Sequence, residues 1–231
     1  HVVHSLTSQG EGQSLHGRKL FRQCLCHGPL WRVQGLANCR DACGQLGAAQ
    51  LLAAIGGGLV LDGRLYRGAN GNAGEVGHMR VVPKGGPLCG CGKRGCLEAY
   101  CSGPSIARRA REALDAGSAI LDLAGSVEAV TAEHVFAAAR RGDVLAERLV
   151  EETAHLLGVG LANIIQALNP EAIVLGTIAT EQGDFFLDRV RRVVREETWP
   201  QMSQVVEILP SPLGTTVGDY GAISIILQNR E

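Results

Sequence analysis

Gly74-Glu75-Val76-Gly77-His78, followed by Cys89-Gly90-Cys91-Gly92-Lys93-Arg94-Gly95-Cys96-Leu97-Glu98, carries the densest chemistry in the chain. His78, Cys89, Cys91 and Cys96 are four soft or borderline ligands within nineteen residues. The loop between them is rich in glycine (Gly85, Gly86, Gly90, Gly92, Gly95), which lets a short segment fold its donors inward. Zinc takes four tetrahedral N and S ligands, and one His with three thiolates is a common closed set. The spacing therefore predicts a structural zinc loop over residues 78–96. The competing arrangements are two disulfides or free core cysteines. Cys89 and Cys91 are poor partners for each other, and a cytoplasmic location, where disulfides are rare, is expected. Cys101 receives no role.

Working outward, Glu75 lies three residues before His78, and Glu98 lies two after Cys96. Carboxylates anchored to a metal-locked loop suit a polyol, because each can accept hydroxyl hydrogen bonds. His78 keeps a second ring nitrogen for a ligand if its first binds metal. The plainer alternative is that both carboxylates are solvated loop charges. Upstream, Gly57–Tyr66 reads as a β-hairpin with an Asp62-Gly63 turn. Downstream, Met79–Val82 reads as a short strand stopped by Pro83, and Lys84–Cys101 as a loop. Helices are expected over Ser105–Ala116, Thr131–Arg141, Asp143–Leu168, Phe185–Thr198 and Gly218–Leu227, and strands over Ala172–Leu175 and Val205–Leu209. Asp143 and Thr131 are the expected N-caps, and Asn169-Pro170 ends the long helix. Gly158 and Gly160 inside that helix imply close packing against a neighbour. Alternation of strand and helix predicts an α/β protein with a mixed sheet.

The totals hide an uneven chain. It has 231 residues, 45% hydrophobic and 19% charged, with formal net charge −1. Residues 1–50 carry five basic and two acidic residues, four of the seven His and four of the eight Cys (Cys24, Cys26, Cys39, Cys43). They sustain neither helical nor strand periodicity. A balanced charge argues against a nucleic-acid or membrane surface, and no apolar run approaches the ~18 residues of a membrane span. No secretory signal pattern is visible. The first residue is His1, which suggests a fragment or processed piece.

The motif Gly74–His78 with Cys89–Glu98 closely resembles the signature of the ROK family of bacterial sugar kinases, open-reading-frame products and sugar-responsive repressors. The resemblance extends upstream through Ile55-Gly56-Gly57-Gly58 and Asp62–Gly71, and downstream through Asn169–Gly176 and Ser211-Pro212-Leu213-Gly214. It implies an actin-like (ribonuclease H-like) ATPase fold of two α/β lobes, mostly the C-terminal lobe here. It also implies glucokinase-like phosphoryl transfer from ATP, with Mg²⁺, to a hexose or amino-hexose. By match of motif, Glu75, His78 and Glu98 bind the sugar. His78, Cys89, Cys91 and Cys96 hold a structural Zn²⁺. Gly56, Gly57, Gly58 and Gly176 fall at nucleotide-contacting positions, where bare backbone N–H groups can approach phosphate. Homodimers are implied as well.

Departures from the family are equally specific. The N-terminal Asp-x-Gly-Gly-Thr turn is absent, as is the Glu-Asn-Asp-x-Asn segment whose Asp serves as general base. Leu52-Ala53-Ala54 stands where Gly-Thr-Gly is usual, and Thr177 where a second Gly follows Gly176. Asp41 lacks the Asn neighbours and is not taken as the base. Residues 1–54 are therefore set apart as an unmatched leader, out of frame or disordered, and 55–231 as the family lobe. The chain alone is expected to be truncated and inactive. The alternative is the sugar-binding effector domain of a repressor, although no helix-turn-helix and no basic footprint are visible.

Overall fold

A computed structural model describes residues 2–7, 55–61, 64–115 and 117–213. Five strands form one mixed sheet: β1 (Val2–Thr7), β2 (Gly56–Leu61), β3 (Arg64–Tyr66), β4 (Ala172–Leu175) and β5 (Glu207–Pro210). The order is β3-β2-β1-β4-β5. The expected hairpin is present, with Leu59 opposite Tyr66 and Leu61 opposite Arg64; its turn at 62–63 lies outside the described residues. Strand β4 is buried at all four positions, as an apolar run covered on both faces should be. It runs parallel to β5 and antiparallel to β1, while β1 runs parallel to β2. Of the segment set apart as a leader, only residues 2–7 are described, and they form the central strand.

Eight α-helices are described, besides a 3-10 turn at Val76–His78: α1 (Glu98–Cys101), α2 (Gly103–Ala113), α3 (Ala119–Ala124), α4 (Ala132–Arg140), α5 (Val144–Leu168), α6 (Ile178–Gln182), α7 (Asp184–Glu197) and α8 (Pro200–Ser203). Thr131 caps α4 and Asp143 caps α5, the latter through Ala146 N–H at 2.8 Å. Asn169 ends α5 in a left-handed conformation, with φ 44°. Helix α2 begins two residues earlier than its periodicity predicts. Ser102 caps it by accepting from Ser105 N–H, and Pro104 fits the first turn, where no intrahelical donor is needed. The last four residues of the expected 84–101 loop are helical, as α1. The closing helix expected over 218–227 lies outside the described residues.

One expected element is absent. Met79–Val82 makes a single bridge, Arg80 to Cys96, instead of a strand. The N–H groups of Val81 and Val82 both donate to the carbonyl of Gly95, at 2.9 and 3.2 Å, so no alternating ladder can propagate.

The helices pack around one apolar core that includes Phe136, Phe186, Ile106, Leu161, Ile165 and Ile173. Phe136 and Phe186 meet edge to face at 5.3 Å. The two glycines of α5 are contact points. A Cβ on Gly158 would lie 2.6 Å from the Val193 side chain of α7, and one on Gly160 would lie 3.0 Å from Leu97. Leu97, between Cys96 and Glu98, is fully buried, so Gly160 is the seat that fastens the cysteine loop to the helical layer. Among the described residues no helix is long and apolar enough to cross a membrane.

Candidate metal centre and adjoining pocket

The four donors predicted from spacing converge. The ligand atoms of His78, Cys89, Cys91 and Cys96 all lie within 4.8 Å of one another. Cys91 and Cys96 sulfurs are 3.7 Å apart, and Cys89 Sγ is 3.5 Å from His78 Nδ1. Tetrahedral zinc with Zn–S near 2.3 Å and Zn–N near 2.0 Å requires S···S edges of about 3.8 Å and S···N edges of about 3.5 Å. These two edges agree with this, and with all four donors within 4.8 Å of one another the set is compatible with a tetrahedral ion.

The local fold explains the convergence. Residues 88–94 form a tight hairpin: Leu88 bridges Arg94, Cys89 N–H donates to Lys93 O at 2.8 Å, and Gly92 N–H to Cys89 O at 2.9 Å. This carries Cys89 and Cys91 to Cys96, whose own backbone bridges Arg80. Cys89 and Cys96 are buried and Cys91 is exposed. Burial raises the Cys89 thiol pKa, and burial together with its thiol neighbours pushes Cys96 up to about 12. The Lys93 backbone N–H lowers that of Cys91. Thiolate ligation must displace these protons, so an ion here binds in competition with acid. Cys101 stands apart: it is buried, its thiol donates to Thr153 O at 3.5 Å, and burial raises it to about 12.

The three proposed sugar-binding side chains form one chain of contacts through this cluster. Glu75 Oε2 lies 3.7 Å from His78 Nε2, and Nδ1 of the same ring faces Cys89. Cys89 Sγ is 3.7 Å from Glu98 Oε1, and the other Glu98 oxygen accepts from Ile55 N–H at 3.2 Å. Glu98 is therefore a tie between the cysteine loop and the strand carrying the glycines, not a freely solvated charge. Sequence spacing did not reveal that tie.

Gly56, Gly57 and Gly58 lie on β2, against the segment that bears Glu75. Gly57 N–H donates to Gly74 O at 2.7 Å. A Cβ on Gly74 would stand 1.9 Å from Gly57 O, and one on Gly77 would stand 2.0 Å from Ile55 O. Gly74 also has φ 98°, a region that side chains disfavour. Both glycines flanking the Glu75-Val76 pair are thus required by backbone-to-backbone contact. The motif contained that signal, in two glycines three residues apart, but not the surface they meet.

Gly57, Gly58 and Glu75 open into one cleft of about 310 Å³, lined also by Tyr66, Arg67, Asn70 and Asn72. His78 and Glu98 are outside its lining. Gly176 follows β4; because Val3 of β1 pairs with both Gly57 and Leu175, Gly176 lies at the same end of the sheet as Gly56 and Gly57. Two inter-strand spacings, about 10 Å, separate the two glycine sites.

Comparison with known proteins identifies the family. The ROK family model matches residues 37–229, beginning inside the segment set apart as a leader. The glucokinase of Halalkalibacterium halodurans is 35% identical over 205 residues, 88% of this chain and 61% of that protein. The xylose repressor of Bacillus spizizenii is 30% identical over 181 residues, 78% of this chain and 44% of that protein. The chain thus spans less than two thirds of the length of these relatives. A ROK family glucokinase from Streptomyces griseus, solved with glucose and AMPPNP, superposes with a TM-score of 0.68 at 32% identity, over 84% of this chain and 67% of that one. The α/β fold is therefore that of the ROK sugar kinases in part, and the chain belongs to the ROK family.

Proposed function

We propose that this chain supplies the sugar-holding, metal-braced half of an ATP-dependent hexose kinase site of the glucokinase kind. The observation that carries the reading is the shared cleft, which Gly57, Gly58 and Glu75 line together. Likeness to a glucokinase bound to glucose and AMPPNP supports the same assignment.

In this reading Glu75 accepts hydroxyl hydrogen bonds from the sugar in the cleft, and His78 Nε2 and Glu98, beside the cleft rather than in its lining, reach the sugar from the cluster side. His78, Cys89, Cys91 and Cys96 hold one Zn²⁺. With all four positions taken by protein, the ion braces the loop and supplies no open Lewis-acid site. Gly56, Gly57, Gly58 and Gly176 receive ATP phosphate and nucleoside groups by close backbone approach, and Mg²⁺ neutralises the phosphate charge. The sequence contains no Glu-Asn-Asp-x-Asn run, so the base that takes the hydroxyl proton is not among these residues. Substrate binding is accordingly the property to test here, ahead of turnover. The xylose repressor match favours a second reading, an effector domain in which the same cleft binds an inducer.

Titration calorimetry of the purified chain against glucose, N-acetylated hexoses and xylose, with and without Mg-AMPPNP, tests both. Kinase-type binding predicts that a hexose binds, that Glu75→Gln abolishes the heat, and that the nucleotide increases affinity. Xylose binding indifferent to nucleotide favours the effector reading. No heat from any sugar would sink both.

A further inference from the structure

We propose that Cys91 is a peroxide-modified site whose partner is Cys96, so that the metal cluster doubles as a thiol switch; this rests on the metal reading above. Of the three clustered thiols only Cys91 is exposed, so a small oxidant in solvent meets it first. Its sulfur already lies 3.7 Å from that of Cys96, and a disulfide needs about 2 Å.

The surroundings decide which atoms move and which pair closes. Gly90 and Gly92 flank Cys91, and a Cβ on either would meet nothing within 4 Å. The hairpin tip therefore has open space around it. Cys96 is held: its backbone bridges Arg80, and a Cβ on neighbouring Gly95 would sit 2.1 Å from Val82 O. The closing displacement falls on Cys91. Cys89 is the poorer partner. It is only two residues away, too close for relaxed disulfide geometry, and its sulfur faces His78 Nδ1 at 3.5 Å and Glu98 Oε1 at 3.7 Å.

The chemistry balances with hydrogen peroxide as oxidant. The Cys91 sulfur attacks one peroxide oxygen; an S–O bond forms, the O–O bond breaks, and the departing hydroxide takes a proton to become water. The Cys96 sulfur then attacks the sulfenic sulfur; the S–S bond forms, the S–O bond breaks, and the second oxygen leaves as water. In the zinc-loaded chain the two sulfurs are thiolates, so two thiolates, one peroxide and two protons from solvent give one disulfide and two waters. Only His78 and Cys89 then remain as donors, too few for a structural zinc site, and the ion departs. With the ion gone, His78 keeps only the Cys89 contact at Nδ1 to orient the ring whose Nε2 faces Glu75, so oxidation reports to the cleft through Glu75.

The test is a peroxide titration of the zinc-loaded chain, with a pyridylazo-resorcinol dye reading released metal and tryptic peptides reading the bond. Trypsin cuts after Lys84, Lys93, Arg94 and Arg108, placing Cys89 and Cys91 on peptide 85–93 and Cys96 and Cys101 on peptide 95–108. The expected result is one zinc released per disulfide formed, a cross-link joining the two peptides, and fragment ions assigning it to Cys91 and Cys96. Dithiothreitol with added zinc should reverse both signals, and Cys101→Ser should leave the cross-link in place. A bond inside peptide 85–93, a bond using Cys89 or Cys101, or zinc retained after Cys91 is oxidised would each overturn the inference. A chain that binds no zinc refutes the metal reading instead, and the same peptide map on that chain still decides whether Cys91 and Cys96 pair.

Discussion

The cysteine loop and the helical layer touch at Leu97, yet they are held together by opposite means. Helices α2 to α7 bury a continuous apolar core, including Phe136, Phe186, Leu161, Ile165 and Leu187. The cysteine loop adds one small cluster of its own, Cys89, Cys96 and Ala99, while Met79, Val81, Val82 and Leu97 belong to or pack against the main core. Two isolated bridges and a few turn hydrogen bonds complete that loop's own cohesion. The hairpin that bears Cys89 and Cys91 has little apolar area of its own with which to offset its ordering entropy. In the proposed metal reading ligand bonding does so, and the local fold around Glu75 and His78 then becomes a function of metal supply. The helical layer has no such dependence.

The largest effect should therefore come from removing the metal. Chelation should lower hydrogen-exchange protection of the Cys89, Gly92 and Leu97 amides, which all donate within the loop, by roughly a hundredfold or more. Amides in the middle of α5 should keep theirs. Equal loss in both regions would show that one cooperative core holds loop and helices alike.

Next in size is the helical layer's own fastening. Asp143 caps α5 and also accepts from Ser118 Oγ at 2.9 Å and Ala119 N–H at 2.7 Å, so one carboxylate organises the starts of α3 and α5. Burial alone would raise its pKa, but these donors outweigh it, and the net shift is downward. A depressed carboxylate pKa contributes stability above the unfolded value, about 3.9, that is lost as pH falls through the folded value below it. Asp143→Ala should cost about 1–2 kcal/mol in urea unfolding at pH 7. The difference from wild type should shrink below about pH 4. A difference that persists in acid would assign the effect to packing.

These two regions were also unequally legible in the sequence. Local signals carried the helical layer: Asp143 and Thr131 as caps, Asn169-Pro170 as a stop, and the glycines of α5 as contacts. Short α3, α6 and α8, of four to six residues, offer too few turns for a period to appear. The donor set of the loop was legible because ligand type and spacing are themselves sequence properties. What the donors touch was not. The contacts of Gly74 with Gly57 and of Glu98 with Ile55 join residues 17 and 43 apart. The pairing of β1 with β2 and β4 is likewise non-local, and nothing within Val2–Thr7 announces it.

The smallest effect lies where sheet meets helices, at Thr177. Strand β4 ends at Leu175, whose carbonyl accepts from Ser211 N–H at 2.7 Å and Thr180 Oγ1 at 3.2 Å. The chain must then turn within two residues to start α6. Thr177 does so at φ 51° and ψ −113°, a sparsely populated conformation that a β-branched side chain tolerates badly. Such strain costs on the order of 1–3 kcal/mol. Glycine adopts these angles freely, at roughly 0.5–1 kcal/mol in added unfolded-state entropy. Thr177→Gly should therefore stabilise the chain by about 1 kcal/mol, read as a higher urea midpoint with an unchanged slope. Because the strain sits on the metal-independent side of the molecule, the gain should be the same with and without chelator. A gain that appears only in the metal-loaded chain would mean that loop and sheet-to-helix junction are coupled, and the separation between the two regions would fail there.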